Sequence, residues 1–132
     1  MTPLLFALIA VAGGIGAACR LLLDGLINTR ISGILPWGTI TINLSGSLIL
    51  GLITGLATGH VVPEAWHLVI GTGFLGGYTT FSTASFETVR LLQDRKWVTG
   101  SLNGIGTLVC ATSAAGLGLW IGCLMGTFTF PL

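Results

Sequence analysis

A run of glycines followed by hydroxyl residues is the segment of this sequence with the most distinctive chemistry. Residues 71–87 read GTGFLGGYTTFSTASFE, with four glycines ahead of five hydroxyl side chains between Thr79 and Ser85. Glycine and threonine are poor helix formers, so we predict a helix break between Gly76 and Thr80. A break at membrane depth frees backbone carbonyls, which suit a hard cation, while the N-terminus of a restarting helix suits an anion. The alternative is a polar helix face that hydrogen-bonds to neighbouring helices.

Isolated polar groups in otherwise apolar segments are the second set of candidates. Asn43 carries an amide that needs hydrogen-bond partners at membrane depth. Arg20 lies four residues before Asp24, so it can snorkel to the interface, pair with Asp24, or draw anions to a vestibule. Glu87 is predicted at the aqueous end of its helix. No nucleophile–base pair or phosphate-binding loop is evident, so the sequence does not favour an enzyme.

Composition places these groups in a membrane. The 132 residues are 52% hydrophobic and only 7% charged, against about 25% charged residues in soluble domains. The mean hydropathy is +0.95. A net charge of +1 argues against a nucleic-acid partner, which would need a basic face. Cys19, Cys110 and Cys123 have no metal-type spacing and are predicted to be buried packing residues without disulfides.

Four membrane-spanning helices account for nearly the whole chain, which we predict to be one all-α transmembrane domain over 1–132. A span needs about 20 mostly apolar residues, and the sequence offers four such stretches, which are Pro3 to Ile27, Trp37 to Thr58, Ala65 to Leu92 and Trp97 to Met125. No basic region precedes the first stretch, so it is predicted to be a retained helix and not a signal peptide.

Small residues recur at every fourth position in the second and fourth predicted spans. The two series are Thr39, Asn43, Ser47, Gly51, Gly55 and Gly59, and Gly106, Cys110, Ala114, Gly118, Gly122 and Gly126. Such faces allow close helix contact in lipid, and packing within one subunit explains most of them. The loops after the first and third spans carry Arg30, Arg95 and Lys96, which mildly favours both termini outside the cell.

Three segments together resemble the small bacterial fluoride channels, the Fluc or CrcB family. They are GGIGAACR at 13–20, PWGTITIN at 36–43 and GFLGGYTTFST at 73–83, in this order along most of the chain. The resemblance implies a multi-pass protein of the bacterial cytoplasmic membrane that provides fluoride resistance. It also implies an antiparallel, dual-topology homodimer of broken-helix subunits with two fluoride pores near the interface.

The resemblance also implies roles for particular residues. Backbone carbonyls of Gly76 and Thr79 from both subunits would hold a structural sodium ion at the dimer centre. Asn43 would donate a hydrogen bond in the pore, and Phe81 would line it, because the positive edge of a phenyl ring can meet an anion without a full charge. Hydroxyls such as Ser82 can replace water around fluoride, and the expected pore also includes Thr83, Ala84 and Thr107. Arg20 would be the vestibule charge.

Two features depart from the family pattern. A second phenylalanine usually follows the first by three residues, where this chain has Ala84. The hydroxyl track of the fourth helix corresponds here to Asn103, Thr107, Ala111 and Ala115, so half of its polarity is missing. We therefore predict impaired fluoride flux. Either this is a channel with a substituted pore, or it is one member of a two-gene pair.

Two other functions remain as alternatives. A small dual-topology multidrug or cation transporter of four helices would need a proton-coupled acid deep in a span. Asp24 and Glu87 lie near predicted ends, so this alternative is weaker. A non-transporting assembly subunit would explain the small-residue faces but not the hydroxyl cluster from Thr79 to Ser85.

Overall fold

The computed structural model describes residues 1–129, and this range is helical without a β-strand. Helix α1 spans Pro3–Arg30 and begins where the Thr2 hydroxyl accepts a hydrogen bond from the Leu5 N–H at 3.2 Å. It runs one turn past the predicted end at Ile27, and the extended backbone of Ile31 then ends it. Helix α2 spans Trp37–Thr58, as predicted, and follows Pro36 directly.

The third predicted span consists of several short pieces. Helix α3 covers Glu64–His67, a π-helical stretch covers Leu68–Leu75, α4 covers Gly76–Tyr78 and α5 covers Phe81–Gln93. Between the last two, Thr79 and Thr80 have extended torsions, with ψ of 158° and 120°. The non-helical part is thus limited to these two threonines, whereas Gly76 and Gly77 remain helical.

The fourth predicted span is one unbroken helical run. Helix α6 covers Trp97–Ser101, a π-helical turn covers Leu102–Gly106 and α7 covers Thr107–Thr129, one turn beyond the predicted end at Met125. Within residues 1–129, three helices are long and apolar enough to cross a membrane, namely Pro3–Arg30, Trp37–Thr58 and Trp97–Thr129. The interrupted third span completes the four-helix arrangement.

Glycines bring α2 and α7 into backbone contact. A Cβ placed on Gly55 would lie 2.8 Å from the Cys123 nitrogen, and one on Gly59 would lie 2.8 Å from the Gly126 Cα. Gly51, Gly118 and Gly122 are equally crowded by the backbone of the opposite helix. The repeated small residues therefore pack α2 against α7 within one chain, as small-xxx-small faces do in lipid.

A second glycine contact packs α1 against the third span. A Cβ on Gly73 would lie 2.8 Å from the Ile9 carbonyl oxygen, and Gly16 and Gly77 are just as close to the facing backbone. Next to this contact, Ile42, Leu75 and Tyr78 form the small buried core. The Tyr78 hydroxyl lies 3.0 Å from the Ser45 hydroxyl, so the tyrosine also ties the third span to α2.

Large apolar side chains cover the outside of the molecule. Phe6, Leu22 and Phe128 are 66%, 71% and 84% exposed, respectively, and many other leucines, isoleucines and valines are similar. Soluble monomers rarely expose such continuous apolar surface. Together with the apolar spans, this surface identifies a multi-pass membrane protein.

Candidate functional site

The amide of Asn43 holds the non-helical residue Thr80 from both sides. Its Nδ2 donates to the Thr80 carbonyl at 2.8 Å, and its Oδ1 accepts from the Thr80 N–H at 2.8 Å. An asparagine thus supplies both backbone bonds that an extended residue loses when a helix is interrupted. The amide has two N–H groups, so one donor of Asn43 remains for other partners.

The hydroxyl cluster around Thr80 starts helix α5. The Thr80 Oγ1 accepts from the Thr83 N–H at 3.2 Å, which is a standard N-cap bond, and it donates to the Thr83 hydroxyl at 3.1 Å. The Ser82 hydroxyl lies 3.4 Å from the same atom. Part of the hydroxyl density that the sequence shows is therefore used in capping a helix.

A groove of about 540 Å³ runs between α5, α2 and the fourth span. Four of the predicted pore residues line it, namely Asn43, Phe81, Ala84 and Thr107, whereas Ser82 and Thr83 lie outside its lining. Phe81 is 87% exposed in the single chain. The tertiary structure therefore brings residues from three separate parts of the sequence together on one surface, which contains both polar and apolar side chains.

Asn103 and Thr88 form the polar wall at another part of this groove. Asn103 is only 3% exposed, and its Nδ2 donates to the Thr88 Oγ1 at 2.8 Å. The sequence indicated Asn103 through the fourth-helix pattern but did not indicate Thr88. Helical spacing could have indicated Thr88, because it follows Phe81 by seven residues and Ala84 by four, which places all three on one helix face.

The charged side chains Arg20, Asp24 and Glu87 do not line the groove. The Thr39 hydroxyl donates to the Glu87 Oε1 at 3.2 Å, while the Glu87 Oε2 and the Arg20 Nε are buried without a hydrogen-bond partner in residues 1–129. Asp24 accepts from the Asn28 amide at 3.3 Å, and the structure shows no hydrogen bond between Asp24 and Arg20. Sequence reasoning missed the contact of Thr39 with Glu87, which links residues 48 positions apart.

The histidines and cysteines lie outside the lining of the groove. The His67 Nε2 lies 3.1 Å from the Thr54 hydroxyl, next to a smaller cavity of about 400 Å³ that His60 and Glu64 also line. Within residues 1–129, no three His, Cys, Asp or Glu side chains are placed to hold a metal ion. The three cysteines are free, and Cys110 is exposed where burial was predicted.

Fold and site define a small helical multi-pass membrane protein with an uncharged, mainly apolar groove between its spans, lined also by several polar side chains. Residues 7–119 match the model of the family described as CrcB-like protein, Camphor Resistance (CrcB). The chain belongs to this CrcB family, which the resemblance of the three segments had indicated.

Similar proteins cover almost the same length. A protein of Leifsonia xyli subsp. xyli, named Fluoride-specific ion channel FluC 1, is 53% identical over 131 residues, covering 99% of this chain and 96% of its own. Fluoride-specific ion channel FluC 2 of Cutibacterium acnes is 46% identical over 86% of this chain and 94% of its own. The protein of that name from Mycobacterium tuberculosis H37Rv is 42% identical over 86% of each chain.

The role of Asn43 in holding Thr80 can be tested by Asn43→Leu. This change leaves the Thr80 N–H and carbonyl without partners, each costing about 1–3 kcal/mol. We expect faster hydrogen exchange at the Thr80 amide and a lower unfolding temperature in detergent. The control is Asn28→Leu, which removes only an exposed bond to Asp24. Equal stability of the two variants would contradict a structural role for the Asn43 amide.

Proposed function

We propose that this chain forms a fluoride-selective channel through which fluoride leaves the bacterium passively across the cytoplasmic membrane. The observation that carries the proposal is the convergence of Asn43, Phe81, Ala84 and Thr107 on one groove, in a chain whose relatives are named fluoride-specific ion channels. These names describe channels, so an enzymatic function is not favoured.

The chemistry of the groove suits a small, strongly hydrated anion. The second N–H of Asn43 and the Thr107 hydroxyl can each replace a water molecule around fluoride. The exposed edge of the Phe81 ring carries partial positive charge and can stabilise the ion between donors. No charged side chain of residues 1–129 lines the groove. An ion can therefore bind without being held so tightly that conduction stops.

The remaining predicted residues take supporting roles. Ser82 is exposed beside Phe81 and can donate a hydrogen bond to an ion as it enters. Thr83 stabilises the start of α5 through Thr80. Arg20 supplies the positive charge that attracts anions to a vestibule, and its buried, unpartnered Nε is consistent with an unfilled hydrogen bond there.

A small multidrug or cation transporter is the other function considered. Within the third span, Glu87 is the acid that lies away from the N-terminal end, and one of its oxygens already accepts from Thr39. The relatives bear the name of a fluoride channel, so this alternative is not favoured.

We infer that two copies assemble antiparallel to complete the pores. Gly76 and the Phe81 ring are exposed in the single chain, and the groove is open to the outside. A second copy over this surface would exclude lipid from the polar residues. The few basic residues in the loops favour a single orientation of the chain in the membrane, whereas the family resemblance favours both orientations. We give the resemblance more weight.

Dual orientation can be tested with Ser32→Cys, in the loop after α1, in a variant whose native cysteines are replaced by alanine. An impermeant thiol reagent added to intact cells should label about half of the copies, because half of the loops face outward in an antiparallel dimer. Lysed cells give the total. Labelling of all copies, or of none, from outside would contradict the assembly.

The residues around the helix interruption fit a structural sodium ion. In a continuous helix the Thr80 N–H would donate to the Gly76 carbonyl and the Thr83 N–H to the Thr79 carbonyl. Here these donors bond to Asn43 and to the Thr80 hydroxyl instead. Both carbonyls are therefore free to bind a hard cation, whose charge would hold two subunits together.

Replacing sodium by N-methylglucamine should lower the unfolding temperature of the dimer if this ion is structural. Thr79→Ser should keep the sodium dependence, because the proposed ligand is a backbone carbonyl. Stability that does not depend on sodium in either protein would contradict the site.

The channel function itself is tested by efflux from proteoliposomes. We expect fluoride release down its gradient, followed with a fluoride electrode, and chloride release at the level of protein-free vesicles. Fluoride release should not be coupled to proton movement, so collapsing the proton gradient with an ionophore should not stop it. Equal fluoride and chloride rates, or strict dependence on a proton gradient, would refute the assignment.

Ala84 is expected to limit the rate of fluoride efflux. It lines the groove one turn beyond Phe81, where a second ring would continue the stabilisation of the ion. We expect slow efflux from the chain as it stands, several-fold faster efflux from Ala84→Phe, and slower efflux from Phe81→Ile. Leu102→Phe is the control, because it adds a ring at an exposed position outside the groove. Equal rates for the unchanged chain and Ala84→Phe would exclude position 84 from the pore.

A further inference from the structure

A chain of two hydrogen bonds connects the fourth span to the backbone at Ala84. The Asn103 Nδ2 donates to the Thr88 Oγ1 at 2.8 Å, and the Thr88 Oγ1 donates to the Ala84 carbonyl at 2.8 Å. A threonine hydroxyl has one proton. Because that proton is committed to Ala84, Thr88 can only accept from Asn103, and the amide must turn its nitrogen toward α5. Thr88 thereby fixes the orientation of the Asn103 amide.

The fixed amide lies on the wall of the same groove as Ala84. Phe81, Ala84 and Thr88 line one side, and Asn103 lines the other. The rise of an α-helix places Thr88 about 10 Å beyond Phe81 along the axis. Between them the alanine offers no side-chain atom past its Cβ, so polar groups for an ion beyond the Phe81 ring must come from other lining residues, which include Ser85, Thr107, Thr88 and Asn103.

Close packing keeps these two residues in place. A Cβ added to Gly104 would lie 3.0 Å from the Thr88 Cγ2, so the glycine next to Asn103 allows α5 to approach. Asn103 lies in the π-helical turn Leu102–Gly106, and such turns often occur at functional sites because they alter the direction of side chains. At 3% exposure, the Asn103 side chain has little freedom to reorient.

We propose that Thr88 is a positioning residue that holds the Asn103 amide as a hydrogen-bonding station for fluoride at the part of the groove beyond Ala84. The inference rests on the proposed channel function and assigns this residue a part in it. One N–H of Asn103 bonds to Thr88, whereas its other N–H and its carbonyl have no protein partner in residues 1–129. Asn103 lines the groove, so its second N–H can donate to a passing fluoride and its side-chain carbonyl oxygen can accept from water.

A purely structural role is the competing explanation, in which the two bonds only join α5 to the fourth span. The two explanations differ in whether the Asn103 side chain responds to fluoride. Because Thr88 and Asn103 share one hydrogen bond, their variants are coupled under either explanation. If Thr88 positions a fluoride station, fluoride shifts the Asn103 side-chain resonance and Thr88→Val abolishes that shift; if the bonds only join the two helices, fluoride leaves the resonance unchanged.

The test uses the full chain in liposomes, with efflux recorded long enough to resolve slow release. Thr88→Val, which keeps the side-chain shape, and Asn103→Leu should each slow fluoride efflux about five- to tenfold, as expected from one lost hydrogen bond. Thr88→Ser should restore a rate within about twofold of the original, because the hydroxyl is retained. The double variant should match Asn103→Leu alone.

Thr112→Val is the matched control. Its hydroxyl also donates to a carbonyl four residues earlier, that of Leu108 at 2.8 Å, but it lies outside the groove. Its efflux should equal that of the unchanged chain. An unchanged rate in Thr88→Val, or effects of Thr88→Val and Asn103→Leu that multiply, would overturn the proposal.

A second readout separates this inference from the channel function. With ¹⁵N-asparagine labelling, the side-chain resonance of Asn103 should shift when sodium fluoride replaces sodium gluconate, and should not shift in Thr88→Val. If neither the unchanged chain nor Ala84→Phe transports fluoride, the proposed channel function is wrong. The Asn103 resonance then still shows whether fluoride binds beside this amide. A resonance that does not respond to fluoride in the unchanged chain would overturn the role of Thr88, even where efflux is rapid.

Discussion

The pair of hydrogen bonds between Asn43 and Thr80 is the constraint on which the site depends. An extended residue inside an apolar helix bundle leaves a backbone N–H and a carbonyl without helical partners, and lipid offers neither a donor nor an acceptor. Asn43 satisfies both at 2.8 Å. This allows α5 to begin again at Phe81, in a new helix whose first turn is capped by Thr80. The positions of Phe81, Ala84 and Thr88 on the groove follow from that restart.

Close helix packing provides the rigid frame around this interruption. The glycine contacts between α2 and α7, and between α1 and the third span, leave no room for a Cβ at several positions. With backbones this close, side chains such as Asn43 on α2 reach the neighbouring helix directly. Because lipid tails are as apolar as leucine, close packing and hydrogen bonds, more than the hydrophobic effect, hold such helices together. The same glycines that weaken a helix in water therefore position the polar groups here.

In the proposed pore, one aromatic ring and several polar groups line the same groove as Ala84. Phe81 presents its ring, Ala84 presents only a methyl group, and Asn103 provides an amide whose direction Thr88 sets. An anion that loses its water must find a donor at each step, because desolvation without compensation is costly. The proposed rate of fluoride passage thus depends on how closely the next donor follows the ring. This makes the orientation of a single amide as relevant as the missing phenylalanine.

Sequence alone determined the four helical segments, the membrane environment and the family. Length and hydropathy fix the helical segments and the membrane environment, because a bilayer demands long apolar stretches with internally satisfied backbones. The family followed from the resemblance of three segments. It also drew attention to Asn43, because an amide at membrane depth needs hydrogen-bond partners, whereas Phe81 and Ala84 were indicated by the resemblance to the family. Only the tertiary structure decided that the hydroxyl cluster partly caps α5, that Asn43 bonds to Thr80, and that Thr88 reaches Asn103. These contacts join residues far apart in the chain, and helix periodicity specifies which face a residue occupies but not which helix lies opposite it.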